Sequence, residues 1–259
     1  MSSIKTNWNL KIDFLLPDAF FPFYILSKKE AIATFLSPFS PLLLVITIFV
    51  SSLSLLANTY WLNAGLSTLK NYFASIPLIF IITLPLLVMN IWADERKQNT
   101  AMLLLSMPIS VRTIVYAKYT SRLILMFCML LLLMVPPLSL IFLLQIEVAS
   151  FFFSYFLAFL LGASLLAVSQ AVSFASSHPS INFLLTFISL IILNITNSIA
   201  PLFHKVGVFW KLFEALFYYL SFSSHFESAS KGILDSRDIV FYLVVLIFAL
   251  EVNVFIVKK

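Results

Sequence analysis

Charged side chains are scarce in this sequence of 259 residues: they make up 10% of it, whereas a soluble domain contains about 25%. Hydrophobic residues account for 61%, and the mean hydropathy is +1.05. Too few polar groups are present to cover a folded surface in water. We therefore expect an integral membrane protein.

Glycine is also rare, and its four residues are far apart. They are Gly65, Gly162, Gly207 and Gly232. An ATP-binding loop of the common kind needs two glycines five positions apart, followed by a lysine. That spacing is missing, so the chain is not expected to bind ATP in this way, and no cofactor is expected within it.

Histidine and cysteine are too sparse to form an evident metal or catalytic centre. His178, His204 and His225 fall in separate segments, and no pair has the spacing typical of zinc ligands. The single cysteine, Cys128, lies in an apolar run, where a buried free thiol is the ordinary interpretation. The apolar runs contain neither paired carboxylates nor a Ser-His-Asp set at one depth. The sequence therefore predicts a protein that is not an enzyme and has no metal site of its own.

Long apolar runs, in contrast, occur in six places. They cover residues 39–57, 73–93, 123–144, 151–175, 181–203 and 239–257. Each is 19 to 25 residues long, and a helix needs about 20 residues to cross a bilayer. Because a spanning segment must satisfy its own backbone hydrogen bonds, such runs predict helices. The predicted fold is a single all-α transmembrane domain over residues 1–259, with six spans.

The distribution of basic residues predicts the orientation of these spans. With six spans both termini lie on one side, and that side carries 11 of the 16 Lys and Arg residues. Basic residues concentrate on the cytoplasmic side of membrane proteins. We therefore expect a multi-pass protein of a bacterial-type inner or plasma membrane, with both termini and the loop 94–122 in the cytoplasm. This bias accounts for the net charge of +5 without any binding of nucleic acid.

Two segments outside the runs have the pattern of membrane-surface helices. In Phe23–Leu36, apolar residues recur at helical spacing with Ser, Lys and Glu between them, which predicts an N-terminal interfacial helix. An extended cytoplasmic tail is the alternative. Residues 204–238 are rich in Phe, Tyr and Trp, which predicts an external loop with one or two interfacial or re-entrant helices before the last span. Anchoring in the membrane surface and contact with a substrate both remain open for this loop.

A few polar groups lie inside the apolar runs. Gln170, Asn194 and Asn197 either hydrogen-bond between helices or line a path for a polar substrate. Glu251 is the only ionisable residue within a run, and such a residue is by default a functional candidate. Its position near the basic C-terminus also fits a carboxylate that snorkels to the membrane surface or is paired with a lysine there. The prolines at positions 136–137 remove backbone donors from the third run and should bend its helix.

One strongly polar segment, residues 94–118, interrupts the apolar sequence. Asn99 or Thr100 can cap a helix through 101–107, and Pro108 would end that helix. A short amphipathic helix between two spans can fit a groove on a partner protein and transmit its movement. A solvated charged loop with an ordinary interfacial helix is the alternative.

This segment resembles the permease subunits of ABC-2 type transporters, which have a charged run, a Leu-rich helix, a proline and a lysine in the same order. The matching residues are Asp94, Glu95, Arg96, Thr100, Leu104, Leu105, Pro108 and Lys118. Two other regions are similar to the gliding-motility-associated branch of that family. They are Phe35–Pro38 before the first span, and His225–Glu227, Gly232 and Arg237–Ile239 before the last. The resemblance covers nearly the whole chain, although Asn99 and Met102 replace a Gly and a Glu of the family pattern.

The resemblance implies the permease subunit of an ATP-driven ABC exporter. A separate ABC ATPase subunit would hold ATP and Mg, and a second permease copy or a homologous permease would complete the translocation path. The residues implied to contact the ATPase are Glu95, Arg96, Thr100, Leu104, Leu105 and Pro108. Two other functions remain open: an ion-coupled or proton-coupled carrier that uses Glu251, and a non-transporting assembly subunit of surface or motility machinery. Lipid, glycan, peptide and drug all fit as substrates.

Overall fold

The computed structural model describes residues 20–57, 69–98, 100, 109–144, 148–203, 219, 221–230 and 235–258. Every regular element within these ranges is a helix. The helices are α1 Phe20–Leu36, α2 Phe39–Ala57, α3 Lys70–Val88, α4 Ala93–Lys97, α5 Val111–Leu144, α6 Val148–Val172, α7 Pro179–Phe203, α8 Phe222–Ser230 and α9 Ser236–Lys258. The predicted all-α fold is therefore confirmed.

Five helical segments in the described part of the chain are long and apolar enough to cross a membrane. They are Phe39–Leu56, Lys70–Lys97, Val111–Leu138, Val148–Val172 and Ser236–Lys258. The protein is thus a multi-pass helical membrane protein. Helix α7 has 25 residues, and its stretch Pro179–Asn194 is a shorter apolar helix. The sixth span and the orientation of the termini stay predictions.

Helix α5 begins well before the third apolar run. The sequence places residues 111–122 in a loop because they contain three basic residues, whereas in the structure they form the first three turns of α5. Two of the basic side chains are buried: Lys118 is 2% exposed and Arg122 is 9% exposed. The third, Arg112, is exposed. Basic residues therefore do not exclude these positions from the helix, since Arg112 and Lys118 pair with carboxylates of other helices.

The N-terminal helix α1 packs mainly along α5. It buries Leu26, Glu30 and Thr34, which are spaced four residues apart and so lie on one face. Ile25 and Ile32 are about half exposed on its other side. The predicted helix is confirmed, and its apolar outer side fits contact with lipid. Its position at the membrane interface stays a prediction.

Helices α3 and α6 form the centre of the bundle. In each of them 72% of the most apolar stretch is buried, against 22% in α2 and 28% in α9. Helices α2 and α9 therefore lie at the periphery and expose large apolar side chains. Those of α2 include Leu42, Val45, Phe49, Leu53 and Leu56. Surfaces of this kind fit contact with lipid.

Gly162 allows α6 to approach its neighbours closely. A Cβ atom at this position would lie 2.9 Å from the sulfur of Met126 on α5 and 3.0 Å from ring atoms of Phe80 on α3. One residue further on, the hydroxyl of Tyr119 donates to the carbonyl oxygen of Ala163 at 2.9 Å. Small residues at such crossings let helices pack in lipid, where no hydrophobic force drives them together.

A proline in α5 creates an acceptor that two other helices use. Pro137 has no N–H group, so the carbonyl oxygen of Leu133 loses its helical donor. The hydroxyl of Tyr72 on α3 donates to this oxygen at 2.5 Å, and that of Tyr155 on α6 donates to it at 3.0 Å. The hydrogen bond that α5 lacks at Leu133 is thereby replaced by hydrogen bonds from α3 and α6, which join the three helices.

The short helix α8 lies within the predicted external loop. It packs against α3 and α6. Phe222 and Phe226 are 2% and 1% exposed, and the hydroxyl of Ser154 donates to the carbonyl oxygen of Ala229 at 2.7 Å. Residues 204–218 of that loop, with most of its aromatic side chains, lie outside the described residues. The re-entrant position of the loop stays a prediction.

We expect Gly162→Val to destabilise the protein by about 1–3 kcal/mol, because the added atoms overlap Met126 and Phe80. Ala74→Val on the exposed side of α3 is the matched control and should change stability by less than about 0.5 kcal/mol. Thermal unfolding in detergent measures both. Equal unfolding temperatures for the two variants would contradict the close approach at Gly162.

The double variant Tyr72→Phe/Tyr155→Phe should lose about 1–3 kcal/mol, since the carbonyl of Leu133 is left without a donor. In a Pro137→Ala background the helical N–H is restored, and the same double variant should cost clearly less. Chemical unfolding of the four proteins measures the difference. A loss that is the same in both backgrounds would show that the proline is not the reason for these two hydrogen bonds.

Candidate functional site

The polar segment after α3 begins with the short helix α4. Its acids, Asp94 and Glu95, fall in the first turn and its bases, Arg96 and Lys97, in the last. This order complements the helix dipole at both ends. The turn that leads into it is anchored by Trp92, which is 1% exposed. A turn with a buried anchor therefore connects α4 directly to the bundle.

The ammonium group of Lys118 connects this segment to two other helices. It lies 2.7 Å from a carboxylate oxygen of Glu95 on α4 and 3.3 Å from one of Glu30 on α1. It also donates to the carbonyl oxygen of Ile91 at 3.2 Å. An ammonium group has three protons, so these three acceptors satisfy it completely. The ring of Trp92 lies 5.0 Å from the nitrogen and adds a cation–π contact.

A second connection joins α4 to the turn between α6 and α7. The guanidinium group of Arg96 donates to the carbonyl oxygen of Phe174 and lies 4.4 Å from the centre of its ring. The rings of Trp92 and Phe174 meet edge to face at 5.4 Å. Nearby, the side-chain amide of Asn182 donates to the carbonyl oxygens of Ser176 and, at 3.4 Å, of Met89. Helix α4 and the turn before it are thus held by Lys118 and by the turn between α6 and α7.

A cavity of about 180 Å³ lies beside Lys118, between α1, the start of α2, the end of α3 and α5. We call it the Arg122 cavity. Its charged lining residues are Glu30, Asp94, Glu95, Lys118 and Arg122. Within the described part of the chain, the Nε and Nη1 atoms of Arg122 and the Oε2 atom of Glu95 are buried without a hydrogen-bond partner.

The structure places three of the predicted ATPase-contacting residues. Glu95 and Arg96 point into the bundle, as described above, and the hydroxyl of Thr100 lies 3.3 Å from the carbonyl oxygen of Glu95, which it binds as a donor. Leu104 and Leu105, like Pro108 and the helix predicted through 101–107, lie outside the described residues. Contact of any of these residues with an ATPase stays a prediction.

The predicted path-lining residues are buried in helix contacts where their side chains are described. The amide of Gln170 on α6 donates to the carbonyl oxygen of Val115 on α5 at 3.1 Å. The side-chain oxygen of Asn194 on α7 accepts a hydrogen bond from Ser223 on α8 at 3.2 Å. These contacts fit the packing interpretation. The side chain of Asn197 lies outside the described residues, and a path along these residues stays a prediction.

Glu251 is paired, but with a different residue from the one that the sequence suggests. Its carboxylate lies 2.9 Å from a guanidinium nitrogen of Arg112 on α5 and 3.3 Å from the hydroxyl of Tyr116. The side chains of the pair are 65% and 41% exposed. The early start of α5 is what brings Arg112 within reach of α9.

Sequence reasoning missed the pair of His225 and Asp238. The Nδ1 atom of His225 on α8 lies 2.7 Å from a carboxylate oxygen of Asp238 on α9, and the hydroxyl of Ser228 donates to the other oxygen. The imidazole stacks on Phe241 at 4.1 Å. The sequence shows both residues in family-like motifs, but nothing in it indicates that they meet. Both ring nitrogens of His225 have partners, since Nε2 lies 3.1 Å from the carbonyl oxygen of Tyr219.

We expect Lys118→Met to destabilise the protein by about 3–5 kcal/mol, because it leaves the buried carboxylate of Glu30 and the partly buried carboxylate of Glu95 without their cation. Arg112→Met on the same helix removes the exposed partner of Glu251 and should cost less than about 1 kcal/mol. Chemical unfolding measures both. Replacing both glutamates by Gln should recover part of the Lys118→Met loss, and equal losses for the two Met variants would contradict the buried network.

No family model and no curated protein sequence matches this chain. In the described part of the chain, no group of three or more His, Cys, Asp or Glu side chains could hold a metal ion. Function must therefore be inferred from the residues, their geometry and the motif resemblance.

Proposed function

We propose that this protein is the permease subunit of an ATP-driven ABC-2 type exporter, in which a separate ATPase subunit acts on the segment 93–108. The order of the motifs along nearly the whole chain supports this function. The multi-pass helical fold is compatible with it. The membrane bilayer is its environment, and a second permease copy or a homologous permease would complete the path.

The observation that carries the proposal is that two separate contacts attach α4 to the rest of the bundle. Glu95 binds Lys118 on α5, and Arg96 binds the turn after α6 at Phe174. A segment on which a motor acts must be stiff where it joins the bundle, because a flexible joint would absorb the movement. A force on α4 would reach α3 directly, and α5 and α6 through these two contacts.

The polar run divides into inward and outward side chains. Glu95 and Arg96 contact the bundle and Asp94 lines the Arg122 cavity, whereas Lys97 and Gln98 are exposed outside the lining of that cavity. The inward pair positions the segment. We therefore assign contact with the ATPase to the outward residues together with the helix predicted to follow them.

The double variant Lys97→Glu/Gln98→Glu should abolish association with the ATPase without changing the unfolding temperature, since both side chains are exposed. The tagged chain is isolated in mild detergent from the cells that naturally carry it, and co-isolated ATP hydrolysis is measured. We expect at least a tenfold decrease relative to the unaltered chain.

The matched control is Lys28→Glu/Lys29→Glu on the exposed side of α1, which should retain the hydrolytic activity. Both double variants reverse or add charge at adjacent exposed positions, so a general effect of charge would appear in both. Absence of any ATP-hydrolysing subunit from the isolated unaltered protein would overturn the proposal. Full co-isolation with the Lys97→Glu/Gln98→Glu variant would refute the assigned contact surface.

A further inference from the structure

Arg122 lines the Arg122 cavity and has buried donors without a partner. Its side chain lies one helical turn after Lys118, and the residue is more than nine-tenths buried. Lys118 is saturated by three acceptors, but the Nε and Nη1 atoms of Arg122 have no partner among the described residues. A buried guanidinium group without acceptors is costly. The group that best satisfies it is an anion with several oxygen atoms, such as a phosphate.

The same cavity also presents an unsatisfied acceptor. Glu95 gives one carboxylate oxygen to Lys118, while its Oε2 atom is buried with no partner in the described ranges. Asp94 lines the same space and is exposed. A ligand that carries an ammonium group would satisfy these oxygens with charge-assisted hydrogen bonds.

The charged residues that line the cavity favour a ligand that carries both a positive and a negative group. Three carboxylates and two cations line the cavity, so an anion alone would meet a surplus of negative charge. An ammonium ion alone would leave Arg122 unsatisfied. A zwitterion, with an anionic and a cationic group a few atoms apart, satisfies both ends and leaves the balance unchanged. The volume of about 180 Å³ is far larger than the space that a single water needs.

The position of the cavity favours a lipid as the source of this zwitterion. Phe39 at the start of α2 lines the cavity and is 43% exposed. From there an exposed apolar stripe runs along α2 through Leu42, Val45 and Phe49, at helical spacing. The headgroup end of a lipid would therefore lie among the charges, with its acyl chains along this stripe.

We propose that the Arg122 cavity binds the phosphoethanolamine headgroup of a membrane phospholipid, with the phosphate at Arg122 and the primary ammonium group at Glu95 and Asp94. This site is separate from the outward surface assigned to the ATPase. Its occupation does not depend on ATP hydrolysis, so the exporter proposal and the lipid site can fail independently.

Delipidated protein in detergent provides the test, with native mass spectrometry as the readout. Phosphatidylethanolamine should bind at least tenfold more tightly than phosphatidylglycerol, which lacks the ammonium group. Phosphatidylethanolamine should also bind more tightly than phosphatidylcholine by a similar factor, because the trimethylated nitrogen of phosphatidylcholine has no N–H to donate. Water-soluble glycerophosphoethanolamine, which has the headgroup without acyl chains, should bind at least tenfold more weakly than the lipid.

Two variants locate the binding. Arg122→Gln removes the proposed phosphate ligand, and Ala33→Phe blocks the cavity from an exposed position on α1. Each should weaken phosphatidylethanolamine binding at least tenfold. Arg112→Gln removes an exposed cation elsewhere on α5 and should leave binding unchanged. If Arg122→Gln does not fold, Ala33→Phe alone decides, because an exposed position tolerates the change.

Four results would overturn the proposal. Binding of phosphatidylethanolamine that is unaltered in Ala33→Phe would place the lipid elsewhere. Equal binding of phosphatidylglycerol or phosphatidylcholine would show that the ammonium group is not recognised. Glycerophosphoethanolamine that binds as tightly as the lipid would show a site for a soluble zwitterion, and no binding of any of these compounds would leave a cavity that holds only water.

Discussion

The arrangement at one end of this bundle depends on a single buried ammonium group. Lys118 gathers a carboxylate of α1, a carboxylate of α4 and a carbonyl of the turn between α3 and α4 around one nitrogen atom. Buried charges persist only when they are paired and hydrogen-bonded. Separating the three elements would leave buried charges unpaired, which is costly, so Lys118 holds them together. The exposed part of the polar segment is therefore attached to a rigid base.

The coarse fold could be predicted from sequence because composition decides it. Runs of about 20 apolar residues leave a chain few options in a membrane, and five of the six predicted runs lie in described helices that are long and apolar enough to cross one. The start of α5 could not be predicted, since Arg112, Lys118 and Arg122 read as loop residues until their partners are known. The clue that was available is their spacing with apolar residues along one helix, together with Glu30, which shares one face of α1 with Leu26.

The candidate site was visible only in outline. The polar segment itself is evident, but the sequence does not reveal that Glu95 and Arg96 turn inward, because their partners Lys118 and Phe174 are 23 and 78 residues away. The same limit applies to Leu133, whose free carbonyl follows from Pro137 but whose donors come from two other helices. Local chemistry predicts what a residue lacks, whereas only the folded chain decides which distant group supplies it.

The pairing of Glu30 with Lys118 also constrains how the chain is made. The two residues are separated by 88 positions, so α1 leaves the ribosome well before its counter-charge exists. At about 5–20 residues per second, the interval is on the order of ten seconds. During that time the carboxylate of Glu30 has to stay in contact with water, and α1 can settle against the bundle only after α5 has entered the membrane. Helix α1 is therefore made before α5 but docks only after it.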